Sequence, residues 1–278
     1  MIDEVRRVAA IRDHSLRVKA AVELMEELQA AVMETSRMRK ESIAWLRQSG
    51  LSMADVAKLM GVSRARVAQL KDAGPPTERA FLGLDRIHVA VPQRDGEREF
   101  VALEDSATGQ QLINLAHRLQ LDGELEYIPT SGAIDLDREG LVVVCGPKTS
   151  AITAAALQGD PRLAFETLSD GRWALIERES GRTYTSPSDE PGDPQSSDVA
   201  YLGRLPRPDG EGMFLLIAGV HAVGSLGVAH YLSGHVGELY AEIGSEPFSM
   251  VVGCDYEPET KRITSARPVS DVLRHEAA

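Results

Sequence analysis

Cysteine occurs only twice in the 278 residues, at Cys145 and Cys254, each at the end of an apolar run. Two thiols cannot supply a four-ligand structural zinc site, and thiols in such runs are commonly buried and inert, so neither a disulfide nor a metal centre is expected. No stretch approaches the roughly 18 consecutive apolar residues of a membrane span. The opening MIDEVRRVAA lacks the apolar core of a secretory signal, so the expectation is a cytoplasmic protein with no membrane partner. Glycine and proline are missing from the first 49 residues, which removes the usual helix breakers there. Positive charge is in deficit: the net charge of −12 argues against indiscriminate coating of nucleic acid.

With 43% hydrophobic and 26% charged residues, the composition is that of an ordinary globular protein. The length suits two domains. The charge is unevenly spread, with 13 Lys and Arg against 10 Asp and Glu in residues 1–75 and 8 against 3 within residues 36–75. Basic residues therefore gather near one segment, apart from an acidic remainder of the opposite charge. Residues 1–49 read as helix with a break at Asp13-His14-Ser15. Ser15 is placed to cap a second helix running to about residue 48, roughly 50 Å long. Its apolar residues Leu16, Ala20, Leu24, Leu28 and Ala31 form a stripe that packs either on the first helix or on a second copy in a homodimer.

The strongest local signal is LSMADVAKLMGVSRARVAQL, residues 51–70. Ser52 and Asp55 suit a capping box, Ala57 is small where helices cross, Gly61 tolerates a positive φ, and Ser63 can cap a second helix. Val56, Leu59, Val62, Val67 and Leu70 are the expected core. This Ala57, Gly61, Val67 spacing resembles the helix-turn-helix consensus, and GVSRARVAQL is similar to region 4 of bacterial sigma factors and related regulators, over residues 38–72. Nothing upstream resembles the promoter-melting region, so a regulator is expected rather than a full sigma factor. The resemblance implies that the second helix enters the major groove of double-stranded DNA. Ser63, Arg64, Ala65, Ala68 and Gln69 then face the bases, with Arg64 suited to guanine and Gln69 to adenine, while Lys58, Arg66 and Lys71 suit phosphates.

Asp-Ala-Gly-Pro-Pro after Lys71 stops the helix and marks a boundary. The expected organisation is a helical DNA-binding domain over 1–73, a linker over 74–84 and a domain over 85–278. Apolar runs at 87–91, 100–103, 141–144, 173–176, 214–217 and 250–252 read as strands, and 108–119, 151–157 and 227–243 as helices. Residues 165–185 suggest an antiparallel meander, and the Pro/Ser/Asp-rich 186–198 a mobile loop. The fold class is thus multidomain: an all-α helix-turn-helix domain with a long helix, then an α/β, Rossmann-like domain with a mixed sheet. Residues 85–278 also resemble an uncharacterised bacterial domain found behind helix-turn-helix segments.

Two strand-to-helix turns invite an anionic small molecule. One is Gly146-Pro147-Lys148-Thr149-Ser150, which lacks the glycines of a Walker A loop. The other holds Gly219, His221, Gly224 and Ser225, off the dinucleotide spacing. If their strands are neighbours, Lys148, Thr149, Ser150, His221 and Ser225 share one pocket, rimmed by the turn at 104–109. Structural caps and packing glycines are the plainer reading of each turn. His221, His230 and His235 are spaced against a shared metal, and Asp198 and Asp255 pair with no nucleophile. Arg204 and Arg207 suit a phosphate or an edge-strand surface. No cofactor and no catalytic set is assigned. The expected function is a dimeric transcription regulator sensing a small anionic ligand such as a nucleotide. The alternatives are a DNA-localised hydrolase of nucleotide or glycosidic bonds, and a DNA-binding assembly protein.

Overall fold

The computed structural model describes residues 2–276, which divide between Thr77 and Glu78 into two compact units. A long-helix α unit precedes a mixed-sheet unit with helices. Among the described residues no helix is long and apolar enough to cross a membrane.

In the first unit, α1 (Ile2–Ala10) folds back on the 35-residue α2 (His14–Gln48). Asp13, not Ser15, caps α2: its side chain accepts the backbone N–H groups of Ser15 at 2.7 Å and Leu16 at 3.2 Å. A carboxylate suits this position because it meets the positive end of the helix dipole. Of the expected stripe, Ala20, Leu24 and Leu28 are half-buried, whereas Leu16 and Ala31 are exposed. Two short helices follow, α3 (Met53–Met60) and α4 (Arg64–Asp72). Ser52 and Asp55 make the reciprocal capping box, Gly61 turns the chain at φ +66°, and Ser63 caps α4 by accepting the Arg66 N–H at 3.2 Å.

Ile43, Val56, Ala57, Val67 and Leu70 form the core of these three helices. Leu59 and Val62 do not join it, being 68% and 37% exposed. The buried or half-buried positions of α3 are 53, 54, 56, 57 and 60, one continuous helical face, and Leu59 falls off that face. Val62 follows the left-handed Gly61, and its N–H returns to the Ala57 carbonyl.

A 3-10 turn, Thr77–Phe81, leads into the second unit, and its Arg79 and Phe81 are buried, so part of the expected linker belongs to the core. The main sheet contains β1 (Arg86–Pro92), β2 (Asp122–Ile128), β3 (Leu141–Val144), β7 (Ser197–Pro206), β8 (Met213–Gly219), β9 (Phe248–Tyr256) and β10 (Ile263–Pro268), with β11 (Leu273–Arg274) also pairing β9. The order is β10-β9-β7-β8-β3-β1-β2. Strands β2, β1, β3 and β8 are mutually parallel, and β7, β9 and β10 are antiparallel to their neighbours. A second, antiparallel sheet, β4 (Leu163–Thr167), β5 (Trp173–Glu177) and β6 (Thr183–Thr185), is the expected meander.

Alternation along the strands builds two cores. Val89, Val91, Val142, Val144, Leu215 and Ile217 face one side with α5 (Leu103–Arg118) and α7 (Ala222–Ile243). Ala90, Leu141, Val143, Leu216 and Ala218 face the other, with the small sheet and Leu157 of α6 (Ala151–Gln158). Burial on both faces explains why β3 and β8 read as unbroken apolar runs.

Residues 100–103 are not a strand. Phe100 makes an isolated bridge to Arg94 and α5 starts at Leu103, so 104–109 are helical rather than a turn. Residues 186–198 hold a short 3-10 turn, Pro187–Asp189, and lead directly into β7, with Ser186 fully buried.

Candidate functional site

Helix α4 and its surroundings present the candidate DNA-contacting residues, with Lys58 on α3 and Ser63 at the α4 cap. Lys58, Ser63, Arg64, Ala65, Arg66, Ala68, Gln69 and Lys71 are all exposed, while Val67 and Leu70 anchor the helix from behind. Arg66 Nη1 donates to Gln69 Oε1 at 3.2 Å, one turn along the helix. The exposed set contains four cations and no carboxylate.

In the second unit, a cavity of about 360 Å3 opens at the C-terminal ends of β1, β3 and β8. From β1 the chain crosses through α5 to β2 on one side, while β3 lies on the other. Loops that diverge in this way leave a crevice at the strand ends, the usual ligand position in open α/β sheets. Helices α5 and α7 both begin at its rim, since Ala102, Glu104, Asp105, His221, Ala222 and Ser225 line it. Their first N–H groups favour negative charge there.

Gly146, Lys148, Thr149, Gly219, His221 and Ser225 line this one cavity, as expected from neighbouring strands. Lys148 Nζ donates to the Val220 carbonyl at 3.0 Å and stands 5.2 Å from the Trp173 ring centre. Burial lowers its pKa, and Asp189 and Asp198 oppose that shift. His221 Nε2 meets Asp189 Oδ1 at 2.9 Å. The Ser225 hydroxyl accepts the Gly219 N–H at 3.0 Å, tying the two sides of the turn together. At Gly219 a Cβ would collide with the His221 carbonyl.

Two predicted ligand residues lie elsewhere. Ser150 is buried as the α6 cap, donating to the Gly132 carbonyl at 2.6 Å and accepting from Thr153 N at 3.3 Å. Its hydroxyl is therefore consumed by the fold. Gly224 faces inward, where an added Cβ would sit 2.6 Å from Asp198 Oδ2. It is a packing glycine.

Arg94, just past β1, was missing from the sequence-derived set. Its Nη2 donates at 2.8 Å to Asp105, which is 3% exposed. Burial raises the Asp105 pKa and Arg94 opposes the rise. The one available signal was an arginine directly after an apolar parallel strand. Cys145 also lines the cavity, but burial pushes its thiol up to about 11, so it packs rather than reacts.

Asp198 lies beneath the rim, its Oδ2 accepting the His221 backbone N–H at 3.0 Å. Burial pushes its pKa up to about 6, against the lowering effects of the Ser186 hydroxyl and His221. Asp255 is separate: bonds from Ser197, Ser265 and Arg267 hold it at about 2. Arg204 is buried and spent on the carbonyls of Phe81, Gly244 and Glu246, and Arg207 closes its own turn with Asp209 and Glu211. Neither serves the cavity. His235 stacks on Tyr231, away from His221. His88, Glu124 and Glu126 do gather on β1 and β2, with Glu126 bonded to His88 at 2.8 Å and to Arg138 at 2.6 Å.

No family model matches this chain, and no curated protein or solved structure is significantly similar to it.

Proposed function

We propose that this protein is a DNA-binding transcription regulator whose Rossmann-like second unit senses a small anionic ligand, a nucleotide being the best fit. The observation that carries the reading is the α3-Gly61-α4 arrangement, in which a capped helix is held from behind by Val67 and Leu70 and turns Arg64, Ala65, Ala68 and Gln69 outward. In this helix-turn-helix, α4 occupies the major groove, Arg64 reads a guanine edge, and Lys58, Arg66 and Lys71 bind phosphates. A cavity with Arg94, Lys148 and two helix starts supplies positive potential for a phosphate, and Glu104 supplies an acceptor for hydroxyls. The test is enrichment from a pool of genomic fragments, followed by nucleotide titration of the enriched complex. Selective binding and equal, reciprocal shifts in nucleotide and DNA affinity are expected. Absence of any enriched fragment refutes the reader, and DNA affinity unmoved by every nucleotide that binds refutes the sensor.

The His221–Asp189 pair at the cavity mouth favours a second reading, a hydrolase localised by DNA, with His221 as general base. Turnover retained in His221→Ala would remove that role.

A further inference from the structure

Helix α2 carries an apolar stripe different from the one that meets α1. Val18, Val22, Met25 and Val32 are 59%, 50%, 58% and 65% exposed. With Gln29 they follow a four-three-four-three spacing, the seam of a coiled coil. The opposite face is turned to α1, since Ala20 and Leu24 are half-buried and share the lining of one cavity with Val8 and Ile11 of the α1 side. Further along α2 the same spacing reaches Ser36, Arg39 and Ile43, where the surface is used: Ser36 abuts Gly74, Ile43 is core, and Lys40, beside Arg39, donates to the Pro75 carbonyl. Only the portion from residue 18 to 32 is bare.

We infer that a second copy of this chain covers it, with the two α2 helices antiparallel. The flanking charges select the partner and its direction. Lys19 and Glu26 lie on one flank of the stripe, seven residues apart, both exposed and neither ion-paired within the described residues. Ala21 and Leu28, half-buried, lie on the other flank, also seven apart.

In an antiparallel pair each flank meets its own counterpart. Setting Val22 against Met25 of the second copy, and Val18 against its Gln29, brings Lys19 opposite Glu26 twice, by two-fold symmetry. The same register brings Ala21 opposite Leu28 twice. A parallel pair would set the charged flank against the apolar one. Both the charge pattern and the apolar pattern are thus self-complementary in one orientation. With α1 on each outer face, the product is a layered row of four helices with the two α2 helices at its centre.

The pair is centred between residues 23 and 24, so the two Ile43 side chains, each anchoring an α3-α4 unit, stand roughly 60 Å apart at 1.5 Å per residue. This inference goes beyond DNA reading and stands apart from it, since a monomer can still bind DNA.

Sedimentation equilibrium of the full chain tests it. The wild type is a dimer at micromolar concentration, and Met25→Glu is a monomer. Lys19→Glu and Glu26→Lys each weaken the dimer about tenfold, because two attractions become two repulsions. The double exchange Lys19→Glu/Glu26→Lys restores wild-type affinity. A monomeric wild type, or a dimer indifferent to Met25→Glu, overturns the interface. Single exchanges without effect, or a double exchange that does not recover, overturn the antiparallel register. Circular dichroism confirms that these exposed substitutions leave α2 helical.

Discussion

Replacing Asp198 with asparagine isolates the cost of a carboxylate under the α7 start. Asp198 is 1% exposed, and burial moves its pKa from 3.8 to about 6. In the unfolded chain the group ionises near its ordinary value, so between these pH values the folded state holds the extra proton. Stability from this group is therefore full below about pH 4, falls as pH rises, and levels off above about pH 6. The loss is about 3 kcal/mol, at about 1.4 kcal/mol for each tenfold change in proton affinity. An amide keeps an acceptor for the His221 N–H and cannot ionise. Relative to wild type, Asp198→Asn should thus gain about 2 kcal/mol on moving from pH 4 to pH 7, most of the full difference. Urea unfolding read at Trp173, in a Trp45→Phe background that silences the first unit, measures this difference. A difference that stays constant across that range refutes the reasoning.

Other substitutions probe separate parts of the account. Gly224→Ala forces a methyl to 2.9 Å from the Val199 carbonyl, which is backbone and cannot swing aside, so a loss of about 1–3 kcal/mol is expected by calorimetry of the second unit. Ser63→Ala removes the α4 cap and should cost the first unit about 1 kcal/mol in thermal unfolding. Lys148→Ala should weaken ATP binding at least tenfold by titration calorimetry; unchanged affinity would remove that cation from the site. If the antiparallel dimer and the reader are both correct, footprinting should find half-sites about two helical turns apart rather than one.

Much of this architecture was legible because local chemistry and tertiary demand agree. Ser52, Asp55, Gly61 and Ser63 each do in the structure what their side chains or backbone favour in isolation. The apolar runs of β3 and β8 likewise announce strands buried on both faces, and their adjacency brought Lys148 and His221 to one cavity. Legibility failed where partners decide. Strand β2, DGELEYI, is largely polar because it is an edge strand covered on one face, so no apolar run marks it. Residues 100–103 are apolar enough for a strand but are drawn into the entry of α5. Asp13 and Ser15 both suit a helix cap, and only the observed bonds choose between them. Arg94 carries no motif; its importance comes from Asp105, eleven residues away across a helix start.

The central claim is that α4 reads DNA, and the most direct measurement is equilibrium binding of wild type and Arg64→Ala to an enriched fragment and to its scrambled version, across a salt series. The account predicts salt-sensitive wild-type binding that discriminates between the two duplexes. Arg64→Ala should lose about 1–3 kcal/mol of that discrimination, whereas Lys71→Ala should weaken both duplexes alike and reduce the salt slope by about one. Wild-type binding that does not distinguish the duplexes, or discrimination untouched by Arg64→Ala, would contradict it.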